Sequence, residues 1–131
     1  MSYNYENLLK VLFEVARLGG PIDSIGLQTA YFGLDTSREQ AVIVHLNEGS
    51  VPLYGRTPSD ANEDIIIGAL ERELLQLGYV VQVSKKNGDF ETTIMHKREV
   101  LAVCTSVNKL ESMLHAWAGL FTQYSHREEG E

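Results

Sequence analysis

Hydrophobic residues recur at helical spacing in three stretches of the chain, near its start, in its middle and near its end. Apolar positions three and four residues apart place one side of a helix against a core, so each stretch predicts an amphipathic helix. The predicted helices span about 5–18, 58–77 and 107–124. Gly19 and Gly20 end the first and Gly78 ends the second, because glycine readily takes the left-handed conformation that closes a helix. The charged tail, 125–131, is expected to fray.

Between the helices the pattern changes to short runs rich in β-branched and aromatic residues, which is typical of strands. The predicted strands span about 25–34, 39–47, 50–54, 79–86 and 89–97. Asn87 and Gly88 separate the last two strands and give a strong hairpin signal, because both residues tolerate positive φ. The run EVLAVC that follows can add a further strand. Pro52 cannot donate a ladder hydrogen bond, so it places its strand at a sheet edge.

The segment from 36 to 47 fits either a strand or a helix. Its first residues, TSRE, match a capping box, which would open a helix and turn the region into a helix-turn-helix. The VIV run at 42–44 opposes that interpretation, because β-branched side chains are stiff in a helix. The segment also carries few cations. A strand is therefore favoured, and the helix remains the alternative.

The predicted elements make one α+β domain over 1–131. Their order is α-β-β-β-α-β-β-(β)-α, with an antiparallel sheet packed against helices. A chain of 131 residues is long enough to bury one core of this kind.

Composition and charge narrow the function classes. The chain is 44% hydrophobic and 22% charged, as in soluble globular proteins, and no stretch is apolar for long enough to cross a bilayer. The formal net charge of -7 argues against nucleic acid and anionic membranes as partners, because clustered Lys and Arg usually hold both. The first residues show no secretory signal, and a single cysteine excludes an internal disulfide. We therefore expect a cytoplasmic protein.

Residues that could carry catalysis or bind metal do not form a motif. The four histidines, His45, His96, His115 and His126, lack the i, i+4 or short Cys/His spacing of a metal site. Cys104 follows apolar residues and is interpreted as a small core residue rather than a nucleophile. The glycine pair near the start ends a helix, whereas phosphate-binding loops begin one. We therefore predict no enzymatic activity, no metal and no cofactor.

Two segments carry a resemblance to a known family. The opening LLKVLFEVARLGG and the aromatic terminal helix LESMLHAWAGLF, with the element order, the length and the acidity, resemble the small class I chaperones of bacterial type III secretion. The resemblance covers residues 5–124. It implies a homodimer in the bacterial cytoplasm, with a role in virulence. Such a dimer binds the N-terminal region of a secreted effector in extended form, keeps it competent for export and catalyses nothing.

Gly68 interrupts the middle helix, where glycine costs about 1 kcal/mol relative to alanine. The resemblance implies that this helix lies at the dimer interface, and the residues around Gly68 offer a face on which a second helix can cross closely. The predicted dimer face consists of Ile65, Gly68, Ala69 and Arg72. Ile67 is also expected to supply contact area around Gly68. A separate apolar stripe is expected to face the sheet and consists of Ile66, Leu70, Leu74 and Leu77. The alternative is that Gly68 packs against a bulky core side chain of its own subunit.

The first helix has a wider apolar surface than one sheet face needs, because Val11 and Phe13 extend it. We expect part of this surface to form a groove for the effector, whose backbone could also add a strand to an exposed sheet edge. The predicted groove residues are Leu8, Leu12, Val15, Tyr31, Phe32 and Val44. Each of them also has the simpler interpretation of an ordinary core residue.

Two other functions fit parts of the chain. The αβββα segment from residue 58 onward resembles a double-stranded RNA-binding domain, and Lys85, Lys86, Lys97 and Arg98 supply a small basic patch. Lys109 is, however, the only cation at the start of the last helix, where phosphate contacts would need several. The C-terminal half also looks like a small phage-type α-β-β-α accessory domain that binds proteins. That resemblance leaves the N-terminal half unexplained.

Overall fold

Nine elements make up the described part of the chain. The computed structural model describes the backbone of residues 5–32, 37–54 and 60–129, and the side chains of 7–26, 42–53 and 61–122. The predicted α+β class and element order are confirmed, and EVLAVC belongs to a strand. The elements are α1 (Tyr5–Leu18), β1 (Ile22–Phe32), β2 (Ser37–Leu46), β3 (Gly49–Tyr54), α2 (Asp60–Gln76), β4 (Val80–Lys86), β5 (Asp89–His96), β6 (Glu99–Ser106) and α3 (Lys109–Glu129).

The strands form two antiparallel sheets of three strands each, a first sheet in the order β1-β2-β3 and a second sheet in the order β4-β5-β6. β2 is the central strand of the first sheet, which confirms the strand interpretation of that segment. Val42 and Val44 on β2 are buried, so the β-branched run serves a sheet. β3 lies at the edge, as Pro52 predicted. Asn62 of α2 donates its Nδ2–H to the Pro52 carbonyl over 2.9 Å.

The core lies between the helices and the inner faces of the two sheets. α1 packs along α3 and against β1, α3 covers β5 and β6, and α2 contacts β3, β4 and α3. Trp117 of α3 is fully buried, and its ring lies against the turn between α1 and β1. A Cβ on Gly20 would come within 2.8 Å of that ring, and Gly20 has φ +129°. The turn therefore needs glycine for space and for backbone conformation.

Two buried hydroxyls fasten α3 to the second sheet. Ser112 donates its Oγ–H to the carbonyl of Cys104 over 2.9 Å, and its Oγ lies 2.7 Å from Thr92 Oγ1. Because Ser112 has a single hydroxyl proton, the Thr92 hydroxyl is the donor of the second bond. Both side chains are fully buried, so loss of either one leaves a buried polar atom without its partner.

α2 ends slightly earlier than predicted. Its last residue is Gln76, and Gly78, with φ +92°, closes it as expected. The Tyr79 N–H bonds to the Leu74 carbonyl over 2.9 Å across this closure. Leu77 therefore lies beyond the helix and is half exposed, which corrects its assignment to the buried stripe. The predicted start of the helix near 58 lies outside the described residues.

α3 runs further than predicted. Asn108 caps its start, because the Asn108 Oδ1 accepts the Glu111 N–H over 2.8 Å. The helix continues through Glu129, past the expected end near 124 and through residues expected to fray. The chain from 125 to 129 contains no glycine or proline and ends in good helix formers, which accounts for the continuation. In the described part of the chain, neither α3 nor any other helix is long and apolar enough to cross a membrane.

Candidate functional site

α2 turns one apolar stripe into the core, as its spacing predicted. Apart from Leu77, the residues of the predicted stripe are fully buried, namely Ile66, Leu70 and Leu74. Ile67 is buried beside them, so the expectation that it supplies contact area for a dimer is wrong. The inner side of α2 is therefore used within the chain, against β3, β4 and α3.

The opposite side of α2 carries the predicted dimer face. Ile65 is 51% exposed, Arg72 is exposed and Gly68 is half-buried. Ala69 is the most buried of the four and lies at the margin of the face, where it lines a shallow depression beside the β2–β3 turn. The structure thus places three of the four predicted residues on an accessible helix surface.

Gly68 is not required by packing within its own chain. Among the described residues, a Cβ added at Gly68 would meet one neighbour, the Nη1 of Arg72, at 3.5 Å, which is ordinary van der Waals contact. The alternative that Gly68 accommodates a bulky core side chain is therefore wrong for the part of the chain that the structure describes. The described residues leave space for a second helix on the solvent side of Gly68.

Arg72 links this face to the first sheet. Its Nη2 lies 3.5 Å from Glu48 Oε2, in the turn between β2 and β3. Both side chains are exposed, so the pair adds little to stability. A second shallow depression lies beside Arg72, lined in part by Ile65 and Val51. On the outer surface of α2, Gly68 therefore lies between an exposed aliphatic side chain, Ile65, and an exposed cation, Arg72.

The predicted effector groove is not present on the described surface. Four of its residues, Leu8, Leu12, Val15 and Val44, are at most 1% exposed and belong to the core. The physical reason is that α1 packs against both α3 and β1, so its broad apolar surface is covered from within the chain. Tyr31 and Phe32 lie at the end of β1, and their side chains are outside the described set.

One large apolar side chain of α1 does face solvent. Phe13 is 46% exposed and lies in a shallow surface depression with Lys10, Glu14 and Arg17. This outer side of α1 is distinct from the groove that the sequence predicted, because it faces away from the core.

No motif in the sequence indicates a site on the outer face of the second sheet. Alternation along the strands turns one set of side chains toward α3 and the other set outward. Met95 on β5 pairs with Val80 on one side and with Val100 on the other, so the three make an apolar row. Val100 is 53% exposed, and Val103, further along β6, is 50% exposed. We define the outer patch as Val80, Met95, Val100 and Val103.

The turn between β5 and β6 places two cations at the end of the outer patch. Lys97 and Arg98 have φ 50° and 71°, in the left-handed region that disfavours residues with a Cβ. The turn between β4 and β5 instead uses Asn87 and Gly88, the residues such turns prefer. Among the described side chains, no ion pair involves Lys97 or Arg98. In the sequence these two residues belong to the small basic patch, and the short HKRE spacing is compatible with a two-residue turn.

Titratable side chains are spread over the described surface. His45 Nδ1 lies 2.8 Å from Ser50 Oγ on neighbouring strands of the first sheet. Burial raises the pKa of the Cys104 thiol. Within the ranges that the structure covers, no group of three or more His, Cys, Asp or Glu side chains is arranged to hold a metal ion.

The outer side of α2 is the candidate site that sequence and structure indicate together. In the sequence, a glycine within a helix indicates this side of α2. In the structure, the space around Gly68 and the exposed Ile65 indicate it. The resemblance to secretion chaperones would predict a dimer contact at this place. Comparison of the chain with protein-family models, with curated proteins and with solved structures finds no match.

Proposed function

We propose that the chain is a homodimeric, non-enzymatic chaperone that binds the N-terminal region of a secreted type III effector. The effector segment is held in extended form and stays competent for export. The observation that carries this proposal is the glycine on the exposed side of α2, for which the described residues supply no packing reason. A helix-interior glycine costs about 1 kcal/mol, and close approach of a second helix offsets that cost.

A two-fold axis near Gly68 gives a self-complementary contact. In an antiparallel crossing, Ile65 of one copy meets the region of Arg72 on the other, because the two residues lie about one turn on either side of Gly68. The exposed aliphatic side chain then packs against the methylene stem of the arginine, whose charged end stays in water. The contact pairs with itself and closes after two copies, as a dimer requires.

The client surface differs from the groove that the sequence predicted. Leu8, Leu12, Val15 and Val44 hold the core together and are not free to bind a client. Phe13, on the outer side of α1, is the exposed alternative on the same helix. An extended client must lose conformational entropy when it binds, so its contact area has to be distributed over a large surface, such as that of two subunits.

The dimer and the client are tested separately. Sedimentation of the purified chain is expected to give a dimer, and Gly68→Leu is expected to give a folded monomer. Gly119→Leu is the matched control, because Gly119 also lies within a helix and a Cβ there meets no atom within 4 Å. A folded dimer that persists in Gly68→Leu would refute the contact.

Client binding is tested by mass spectrometry of proteins that co-purify with the tagged chain from its own host. The proposal predicts one dominant secreted partner, held through its N-terminal segment. Deleting that segment from the partner should abolish co-purification, whereas deleting its C-terminal region should not. A chain that captures no secreted protein would overturn the chaperone function even if it is a dimer.

Nucleic-acid binding is a second candidate, favoured by the order α2-β4-β5-β6-α3. The start of α3 opposes it, because Asn108 there donates to the Glu63 carboxylate, Glu111 lies in the first turn, and Lys109 is the one cation in that turn. Carboxylates at this place repel phosphates. A gel shift with DNA and RNA at low salt distinguishes the two functions, since the chaperone is expected to shift neither.

A further inference from the structure

The edges of the two sheets differ in how they are protected against pairing with another chain. Proteins usually blunt an edge with proline, lysine or a covering element. β3 carries Pro52, and β4 ends in Lys85 and Lys86. β1 and β6 contain neither lysine nor proline, and each pairs with a single strand among the described ones. α3 covers the inner face of β6 and leaves its outer face exposed at Val100 and Val103. The edge of β6 is therefore open to another strand.

The charge around the second sheet is opposite in sign to that of the whole chain. Residues 80–106 contain four Lys and Arg and three Asp and Glu, which gives +1 in a chain of -7. Lys86 already lies 3.7 Å from Glu91. Lys97 and Arg98 are exposed, and no described side chain forms an ion pair with either. These two cations border the outer patch and the start of β6, so the accessible edge combines aliphatic surface with unpaired positive charge.

We propose that β6 and the outer patch bind an extended segment of another protein in which aliphatic side chains alternate and carboxylates follow at one end. The backbone of the segment adds a strand to the β6 edge. Its aliphatic side chains cover Val100 and Val103, and its carboxylates reach Lys97 and Arg98. Glu99, which follows Arg98, pairs with His96 across the hairpin. Its side chain lies on the opposite face of the sheet from Val100, so its carboxylate is not part of the outer patch.

The backbone of the β5–β6 turn agrees with this assignment. Asn and Gly would fit the turn without strain, yet the chain holds Lys97 and Arg98 there in the left-handed region. Strain of this kind persists where a side chain has a role that the preferred residue cannot fill. Binding of carboxylates by Lys97 and Arg98, beside the apolar row, is a role that Asn and Gly could not fill.

Another copy of this chain is a poorer occupant for the same surface. The complement of the outer patch would be a different, acidic patch on the second copy, and such a head-to-tail contact does not close after two copies. Nucleic acid is also a poor fit, since two cations neutralise far fewer phosphates than such complexes usually do. A segment of a different protein satisfies the charge, the aliphatic surface and the open edge together.

A labelled peptide tests the surface directly. The probe alternates valine and threonine and ends in paired glutamates, and its fluorescence anisotropy is followed as the full chain is added. Binding is expected to saturate and to weaken as salt rises from about 0.05 M to about 0.5 M, because salt screens the exposed charges. The Lys97→Glu, Arg98→Glu double variant should bind about tenfold more weakly. Lys10→Glu, an exposed charge reversal on α1, should bind as the unchanged chain does.

Paired variants separate the roles of aliphatic surface, charge and turn structure. Val103→Thr should weaken peptide binding, whereas Val107→Thr, at a more exposed valine beyond β6, should not. Lys97→Asn with Arg98→Gly should raise the Tm, because Asn and Gly tolerate the positive φ of this turn better, and should still weaken binding. Unchanged binding in the two turn variants would overturn the proposal. So would equal affinity for a peptide with lysines in place of the glutamates.

Two other outcomes distinguish this proposal from membrane binding and from the proposed chaperone function. Binding to vesicles of anionic phospholipid without binding to the acidic peptide would assign the surface to a membrane and refute the proposal. The surface can serve the client of the proposed chaperone, but the inference does not require it. A monomeric chain that captures no effector would refute the proposed function and leave the peptide result standing, and failure of the peptide would leave the α2 dimer standing.

Discussion

Replacing Gly68 with alanine should have two opposite effects, stabilising the helix of each subunit and weakening the contact between the two helices of the dimer. In an isolated chain, alanine stabilises a helix interior by about 1 kcal/mol relative to glycine. The added Cβ would meet the Arg72 Nη1 at 3.5 Å, so the chain itself imposes no steric penalty. For a domain of this size the gain corresponds to a rise in Tm of about 4 °C.

A second copy across Gly68 reverses the sign of the effect. The crossing places the two glycine backbones close together, and each copy contributes one added methyl group. Overpacking of this kind costs about 1–3 kcal/mol. The dimer dissociation constant should therefore rise by about tenfold or more, because every 1.4 kcal/mol corresponds to a factor of about ten.

Urea unfolding at two protein concentrations, with sedimentation velocity, measures both effects. The unchanged chain should be more stable at the higher concentration, as expected of a dimer. Gly68→Ala should lose that dependence and sediment more slowly. The control is Gly119→Ala, which should gain about 1 kcal/mol at both concentrations, because a Cβ there has open space. Identical behaviour of the two variants, with unchanged sedimentation, would falsify the dimer contact.

Three further predictions concern the core. Leu12→Ala should lower the free energy of unfolding, measured by urea titration, by about 2–5 kcal/mol. Leu12→Asp should prevent folding, as judged by circular dichroism, because it buries a charge. A folded Leu12→Asp would contradict the burial of this residue. Gly20→Ala should destabilise the chain because of its positive φ and the Trp117 ring, and a Tm at or above that of the unchanged chain would contradict the packing of that turn. Burial raises the pKa of the Cys104 thiol above its ordinary value, so its contribution to stability is complete below the unfolded-state pKa and is lost as pH rises through the folded-state pKa. Urea unfolding of Cys104→Ala over the same pH range should not show this loss.

Local spacing predicted the elements well because each element follows a rule of short range. α1 has the predicted limits, and the β-branched run on β2 decided correctly between strand and helix. Asn87 and Gly88 marked a hairpin turn, and both have positive φ. The glycine at position 68 also pointed to an exposed helix face. Signals of this kind depend on residues a few positions apart, so one sequence is sufficient to find them.

The fate of the α1 surface could not be predicted in the same way. Its broad apolar face indicated a groove, but the chain covers that face with α3, which lies about a hundred residues away in the sequence. Spacing shows that Leu8 and Leu12 must be covered and does not show by what. The same limit applies to β6, because the openness of an edge depends on which strands pair.

The contact of α1 with α3 has a consequence for how the protein is made. Each sheet is a meander of neighbouring hairpins, so its strands can pair as soon as they leave the ribosome. Trp117 and the other buried side chains of α3 are made long after α1 and β1, and until then the part of the α1 surface that α3 covers stays exposed. Part of the first helix is therefore open to solvent while the intervening residues are synthesised, and exposed apolar surface of this kind favours aggregation during folding.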